Sequence, residues 1–443
     1  MDGDRRETYL KQQLLTEILS RNPDLRGAKV LQCTLRMPQS MDGFMATIYN
    51  LEVTFRETGC SESKDLNILI KVMKGDEDFR RQSLGLILFP NEINVYRNIL
   101  PAFKQLITDS KSSIEAGTWC PRIYYSEQGS FPGYSDQFET ILAMQNVQCL
   151  GFVSGPRLDL DEDHLTLMTR KIAQFHACSY ALRILNNQKL NQLVEAIIPL
   201  NFIQDGKIFF ESCDLVFRYT QERMYKYFDA NTELVADTNV RADIEMLRKI
   251  YGSEPSRLMQ RCLEQDDVYS VILHGDYNRN NVLFKYQNET PVDMIMIDFQ
   301  ENRFGSPALD LSFFMYMNMT EDVRERSWDR ILRCYHQELF ECICKITDLP
   351  ADDVRLEPYS FESIMLHLND YLAYGAMIAV KFLPVMMGLP EEVELIVHYF
   401  HNDIHADGFK EIIQKSGGDV ANRRIMSVVS HCSRMGYLKF LWK

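Results

Sequence analysis

The chain has 443 residues, too many for one ordinary core, so two lobes are expected. Hydrophobic residues at 46% and charged residues at 25% are those of a globular protein and exclude a fibrous repeat or a long disordered tail. Lys and Arg number 48 against 62 Asp and Glu, a net charge of −14, which argues against a nucleic-acid partner because phosphate contacts need basic side chains.

The first stretch, "MDGDRRETYLKQQLLTEIL", reads as a charged helix with Leu10, Leu14 and Ile18 on one face. It lacks the apolar core of a signal peptide. No run of about 18 uncharged apolar residues follows, so no membrane span is expected. The eleven cysteines are scattered, odd in number and without a CxxC pair. That pattern suits free thiols in a reducing compartment and makes the cytoplasm the expected location. Three strands come next, "KVLQCTLRM", "ATIYNLEVTF" and "LNILIKVM", with Met37–Phe44 joining the first two. "PNEINVYRNIL" is expected to be a helix with Pro90 in its first turn and Ile93, Tyr96, Ile99 and Leu100 on its apolar face. "PRIYY" and "QFETILAM" add two strands. A joint near Met144–Gly151 leads to helical periodicity from Asp161, where "DEDHLTLMTRKIAQFHACSYALRIL" begins with acids that suit an N-cap. The fold class is therefore α+β and bilobal: a β-rich N-lobe over 1–147 and a mostly helical C-lobe over 148–443.

One polar insert breaks the helical part. "VILHGDYNRNNVLF" (Val271–Phe284) starts and ends as strand, and "MIMIDFQ" (Met294–Gln300) is a strand ending in Asp298. The residues between fold back as a hairpin, with Asn288 to Pro291 as turn material. Asp276, Asn281 and Asp298 then lie at one end of a small sheet. Two oxygen ligands suit a hard cation such as Mg²⁺, and a further aspartate is left to position a hydroxyl for attack on a phosphoryl group. Asp and Asn in such a place also cap turns without any chemistry. The pairing of HGD, with Asn five residues after its Asp, and a second apolar strand ending in Asp-Phe favours phosphoryl transfer. Upstream, Lys71 in "ILIKV" and Glu92 on the next helix have the order and spacing of a phosphate-binding lysine and its orienting carboxylate. Backbone amides around Ser40–Phe44, with Gly43, offer a phosphate-covering turn.

"ILIKV", "FPNEINVYRNILP", "IAQFHACS", "HGDYNRNNVLF" and "MIMIDFQENRFGSPALDLSFF" resemble, in order, the blocks of the ecdysteroid-kinase-like family. Its relatives are the aminoglycoside and choline kinases of the protein-kinase-like fold. The resemblance covers roughly Val30 to Phe314. It implies ATP and Mg²⁺ as cofactors, Asp276 as catalytic base, Asn281 and Asp298 as metal ligands, and Lys71 with Glu92 as the phosphate-binding pair. It also implies Asp310 as an anchor of the loop, a structural His176, and adenine held by the backbone at Gln145–Val147. The chain departs from the family in two places: "QNV" stands at an acidic joint, and Asp42–Gly43 replaces a turn in which Asn is common. The acceptor implied is a small-molecule alcohol, such as an ecdysteroid-like steroid. The alternatives are a choline-like cation, an aminoglycoside, a foreign phenol or glycoside, or a non-catalytic nucleotide-binding protein.

Two other clusters need a reading. "LDLDEDH" has alternating acids, but His164 and Arg170 stand where a calcium loop needs Gly and Glu, so a helix start explains it better. "HYFHNDIH" is expected to place His398, His401 and His405 near one helical face, where three imidazoles could bind Zn²⁺ or line the substrate cleft.

Overall fold

A computed structural model of the protein describes residues 2–37, 46–110 and 119–442. The α+β class holds, with a β-rich N-terminal part followed by a helical C-terminal part. The chain divides into two compact units. The first takes Met1–Val153, Glu195–Ile198 and Leu283–Asn302; the second takes Ser154–Val194, Pro199–Val282 and Arg303–Lys443.

The first unit opens with helices α1 (Asp2–Tyr9) and α2 (Leu15–Arg21), joined by a π-type stretch over Leu10–Leu14. The expected apolar face forms: Leu10, Leu14 and Ile18 are fully buried. Burial of such side chains stabilises by about 1.5–3 kcal/mol each. They pack against strands β1 (Lys29–Arg36), β2 (Ala46–Arg56), β3 (Ser63–Met73), β4 (Ile123–Phe131) and β5 (Ser135–Gln145), with Leu51, Ile70 and Ile141 in the same core. The sheet is antiparallel in the order β1-β2-β3-β5-β4. Lys71 lies on β3 opposite Ile48 of β2 and Leu142 of β5, in the middle of the sheet.

Among the described residues, three helices lie between β3 and β4: α3 (Glu77–Gln82), α4 (Gly85–Asn94) and α5 (Leu100–Asp109), with a π-type stretch over Val95–Ile99 between the last two. The helix carrying Glu92 starts earlier than expected, and Pro90 falls inside it. Leu84 adopts a left-handed conformation (φ 58°) that ends the previous helix. Its carbonyl then accepts from Ile87 and Leu88 N–H at 2.8 and 3.0 Å, which begins the new one. Pro90 costs that helix one N–H donor.

Strand β6 (Phe152–Ser154) follows, then α6 (Glu162–Glu195) of the second unit. The Asp161 carboxylate accepts from Asp163 and His164 N–H at 3.1 and 3.0 Å, so the acidic stretch is an N-cap and no calcium loop. A kink at Asn186 interrupts α6, and the Asn186 side chain caps the following turn by accepting from Lys189 N–H at 3.0 Å. A small hairpin, β7 (Ile203–Gln204) with β8 (Lys207–Ile208), leads to α7 (Glu211–Ala230), α8 (Thr238–Tyr251) and α9 (Pro255–Cys262). Strand β9 (Val271–Leu273) pairs with β12 (Arg303–Gly305). Between them in sequence, β10 (Val282–Gln287) and β11 (Thr290–Met296) form the expected hairpin, and β10 also pairs with β6. Its turn residues Asn288 and Glu289 both have positive φ, 49° and 66°, the geometry of a type I′ turn.

The rest is helical: α10 (Ala308–Asn318), α11 (Glu321–Thr347), α12 (Phe361–Tyr371), α13 (Ala373–Met386), α14 (Pro390–Asn402), α15 (Asp407–Lys415) and α16 (Gly418–Arg434). Helices α10 and α13 touch backbone to backbone. A Cβ on Gly375 would lie 2.1 Å from the Ser312 carbonyl carbon, so only glycine fits. Helix α14 ends at Asn402 and Asp403 is extended, so His405 leaves the face of His398 and His401. Among the described residues no three His, Cys, Asp or Glu side chains gather to hold a metal ion, so the zinc reading lapses. No single helix among them is long and apolar enough to cross a membrane.

Candidate active site

The residues singled out from the sequence fall into two clusters, one in each unit. In the first, the Lys71 ammonium faces two carboxylates: Glu92 Oε2 at 2.8 Å and Asp298 Oδ1 at 2.9 Å. Lys71 and Glu92 are buried, at 7% and 1% exposure, whereas the Asp298 side chain keeps 36%. Burial would lower the lysine pKa, but the charges of Asp298 and Glu92 outweigh it and raise it. Burial raises the Glu92 carboxyl, and the neighbouring Asp298 charge adds to that while Lys71 opposes it. Lys71 thus brings a single positive charge to two carboxyl groups, one buried and one partly exposed.

Asp298 has φ 65°, a left-handed conformation that costs a non-glycine residue energy. Its neighbours hold it there. Phe299 is fully buried and meets the Tyr96 ring edge-on at 5.6 Å. On the strand before it, Met296 N–H donates to the Trp119 carbonyl at 2.6 Å. The Asp-Phe pair thus turns the chain sharply, with the ring inward and the carboxylate toward Lys71.

The second cluster is the loop after β9. Gly275 has φ 90°, a backbone path closed to other residues without strain. Asp310, at the start of α10, anchors this turn. Its Oδ2 accepts from His274 N–H at 2.8 Å and its Oδ1 from Gly275 N–H at 2.9 Å. His176 Nε2 lies 3.1 Å from Oδ2, and His176 Nδ1 lies 2.9 Å from the Tyr335 hydroxyl. Burial alone would raise the Asp310 pKa, but the hydrogen bond and charge of His176, with His274 and the Gly275 N–H, hold it below the ordinary carboxylate value. Tyr277, fully buried, donates its hydroxyl to the Met168 carbonyl at 2.8 Å and fixes the other side of the loop.

On this frame the Asp276 carboxylate is clamped by two amides. Asn278 Nδ2 donates to Oδ1 at 2.7 Å and Asn281 Nδ2 to Oδ2 at 2.7 Å. Asn281 also bonds the Asp276 carbonyl at 2.9 Å. Asn278 accepts from Asn280 N–H at 2.8 Å, capping the short 3₁₀ turn Arg279–Asn281. The sequence pointed to Asp276 and Asn281, whereas Asn278 was expected only to shape the turn. The signal was there: an Asn two residues after an Asp is Asx-turn spacing.

The remaining candidates stand elsewhere. Gln145 is the last residue of β5, and its N–H already donates to the Arg122 carbonyl at 2.8 Å. Val147 is buried against Phe152 and Ile295. Ser40 and Gly43, the expected phosphate turn, lie outside the described residues.

The sequence profile of the ecdysteroid kinase-like family matches residues 40–347, more than half of the chain. The chain belongs to that family. As an ecdysteroid kinase-like protein it is a member of a small-molecule kinase-like group. No curated protein sequence matches it. Solved structures that are similar include a microcompartment-associated aminopropanol kinase, at 12% identity and TM-score 0.38 over 96% of this chain and 95% of that one. An aminoglycoside 2′-phosphotransferase in its GDP complex has 12% identity and TM-score 0.36 over 94% and 98%. An ethanolamine kinase of Plasmodium vivax has 12% identity and TM-score 0.36 over 92% and 85%.

Proposed function

We propose that this ecdysteroid kinase-like protein transfers the γ-phosphoryl group of ATP to a hydroxyl of a small molecule. The observation that carries the proposal is the Asp276 carboxylate, held by two amides on a loop whose backbone is pinned to Asp310. A carboxylate fixed in this way suits a base that orients an acceptor hydroxyl and takes its proton. Lys71, oriented by Glu92, is assigned to the nucleotide phosphates. Gln145 and Val147 are assigned to the adenine-binding stretch, and Ser40 and Gly43 to the phosphate-covering turn.

Asn281 and Asp298 are assigned to Mg²⁺. Each offers an oxygen donor of the kind a hard cation takes: Asp298 a partly exposed carboxylate, and Asn281, its amide nitrogen engaged by Asp276, an amide oxygen. Magnesium bound there supplies neutralisation of phosphate charge. The acceptor class follows from the family: a steroid alcohol of ecdysteroid type, met in the cytoplasm.

The deciding experiment is a phosphotransfer screen with Mg²⁺ and ATP over steroid, cationic, phenolic and glycosidic alcohols, with Asp276→Asn alongside. Wild type is expected to turn over at least one steroid alcohol. The variant is expected to lose roughly 10²–10⁴ in kcat, the usual worth of a positioned base. A variant as fast as wild type removes Asp276 from the chemistry. Turnover confined to cations or glycosides moves the acceptor class, and a protein that binds no nucleotide ends the kinase reading.

A further inference from the structure

Away from the catalytic loop, Lys381 of α13 and Cys213 of α7 meet inside the second unit. Lys381 is only 8% exposed, and its Nζ lies 2.6 Å from Cys213 Sγ. The Phe217 and Phe382 rings flank the ammonium at 4.6 and 4.8 Å. Among the described residues no carboxylate pairs with it. A buried ammonium without an acid is costly, and cation–π contact with two rings offsets only part of that. A long, flexible side chain is thus pinned with its nitrogen against sulfur.

The separation is unlike the other sulfur contacts of this protein. The thiols of Cys33, Cys60, Cys178 and Cys342 lie 3.6 to 3.9 Å from their oxygen partners. At 2.6 Å the Lys381 nitrogen is too close for an ordinary hydrogen bond to sulfur. It is at the span of two single bonds through one shared oxygen. Cys213 is partly exposed, so a small oxidant reaches the sulfur, while the lysine behind it is held in place.

We infer that Lys381 and Cys213 form a covalent modification site, in which oxidation joins Nζ to Sγ through a single bridging oxygen. With dioxygen as the oxidant, the ammonium and the thiol become an N–O–S link. One oxygen atom enters the bridge, the other leaves as water, and one proton is released. Nitrogen and sulfur together give up four electrons, which dioxygen accepts. Two equivalents of hydrogen peroxide do the same and leave three waters. Two equivalents of a dithiol return the four electrons and restore amine, thiol and water. The link ties α7 to α13 across 168 residues of chain, so it restrains the unfolded state and raises the melting temperature of the oxidised protein.

The test is peptide mapping of the full chain after mild hydrogen peroxide or air, with free thiols alkylated on denaturation. The expected product joins the Cys213 and Lys381 peptides, with the mass of both plus one oxygen and minus two hydrogens, and dithiothreitol abolishes it. Lys381→Arg keeps a cation at the site but cannot give the bridge, and Cys213→Ser removes it. The oxidised wild type is expected to melt above its reduced form, a difference absent in Lys381→Arg. Cys213 recovered only as sulfenic or sulfinic acid with Lys381 free, a direct N–S sulfenamide without oxygen, or equal linkage to other lysines would each overturn the inference. The wild-type map needs no variant to fold.

Discussion

At the residue scale, one side chain, Asn278, links a turn to the carboxylate proposed as the base. It caps the 3₁₀ turn with its oxygen and holds the Asp276 carboxylate with its nitrogen. A hydrogen bond to a charged group is worth about 1.5–3 kcal/mol. Asn278→Ala is therefore expected to lower kcat by roughly ten-fold or more through a misplaced Asp276, with the KM for ATP little changed. Steady-state kinetics decide it, and an unaltered kcat would reduce Asn278 to a turn residue. Spacing and strand context singled out Asp276, Asn281, Lys71, Glu92 and Asp298, and the fold groups Lys71 with Glu92 and Asp298, and Asp276 with Asn281. Asn278 was not singled out, because its role depends on how the loop folds back on its own carboxylate. Likewise, nothing in "MIMIDFQ" announces that Asp298 sits at φ 65°, a strain held by the packing of Phe299 against Tyr96 and by the bond of Met296 to Trp119.

At the scale of elements, the hairpin β10–β11 was readable from its turn-prone residues, and its turn makes a prediction. Glu289 occupies a left-handed position that type I′ turns reserve for Gly or Asn. Glu289→Gly should raise stability by about 1 kcal/mol, seen as a higher urea midpoint. A lower midpoint would mean that the Glu289 side chain contributes more than its backbone costs. The element boundaries were less readable. Pro90 signals a first turn, yet Leu84 starts the helix sooner by adopting φ 58°. Three histidines at helical spacing suggest one face, yet α14 stops at Asn402 because Asp403 turns extended. Local periodicity reports what a helix would bury but does not say where the chain leaves it.

For the whole molecule, two buried histidines contribute to the response to acid. His367 is buried, 2.9 Å from the Ser306 hydroxyl and stacked on Tyr269 at 4.6 Å. Burial lowers its pKa from about 6.5 to about 4, and burial with the charges of Arg324 and Arg434 takes His431 down to about 3. The unfolded chain takes up a proton at each site as pH falls through about 6.5, and the folded chain does not until far lower. Stability is therefore full above that value and falls as pH drops toward 4, by about 1–2 kcal/mol per site at pH 5. Urea midpoints measured between pH 8 and pH 5 should decline, and His367→Gln should flatten part of the slope. A midpoint independent of pH would show that neither ring is kept neutral by the fold.

The division of the chain carries a consequence for inheritance. Leu283–Asn302 belongs with the first unit, although the chain on either side of it belongs to the second. The backbone therefore passes between the units several times, and no single cut yields two complete pieces. A fragment beginning at Ser154 would keep Met294, Ile295, Met296 and Phe299, all buried in the intact protein, without the sheet of the unit they belong to. Such a chain cannot be shuffled as two exchangeable modules.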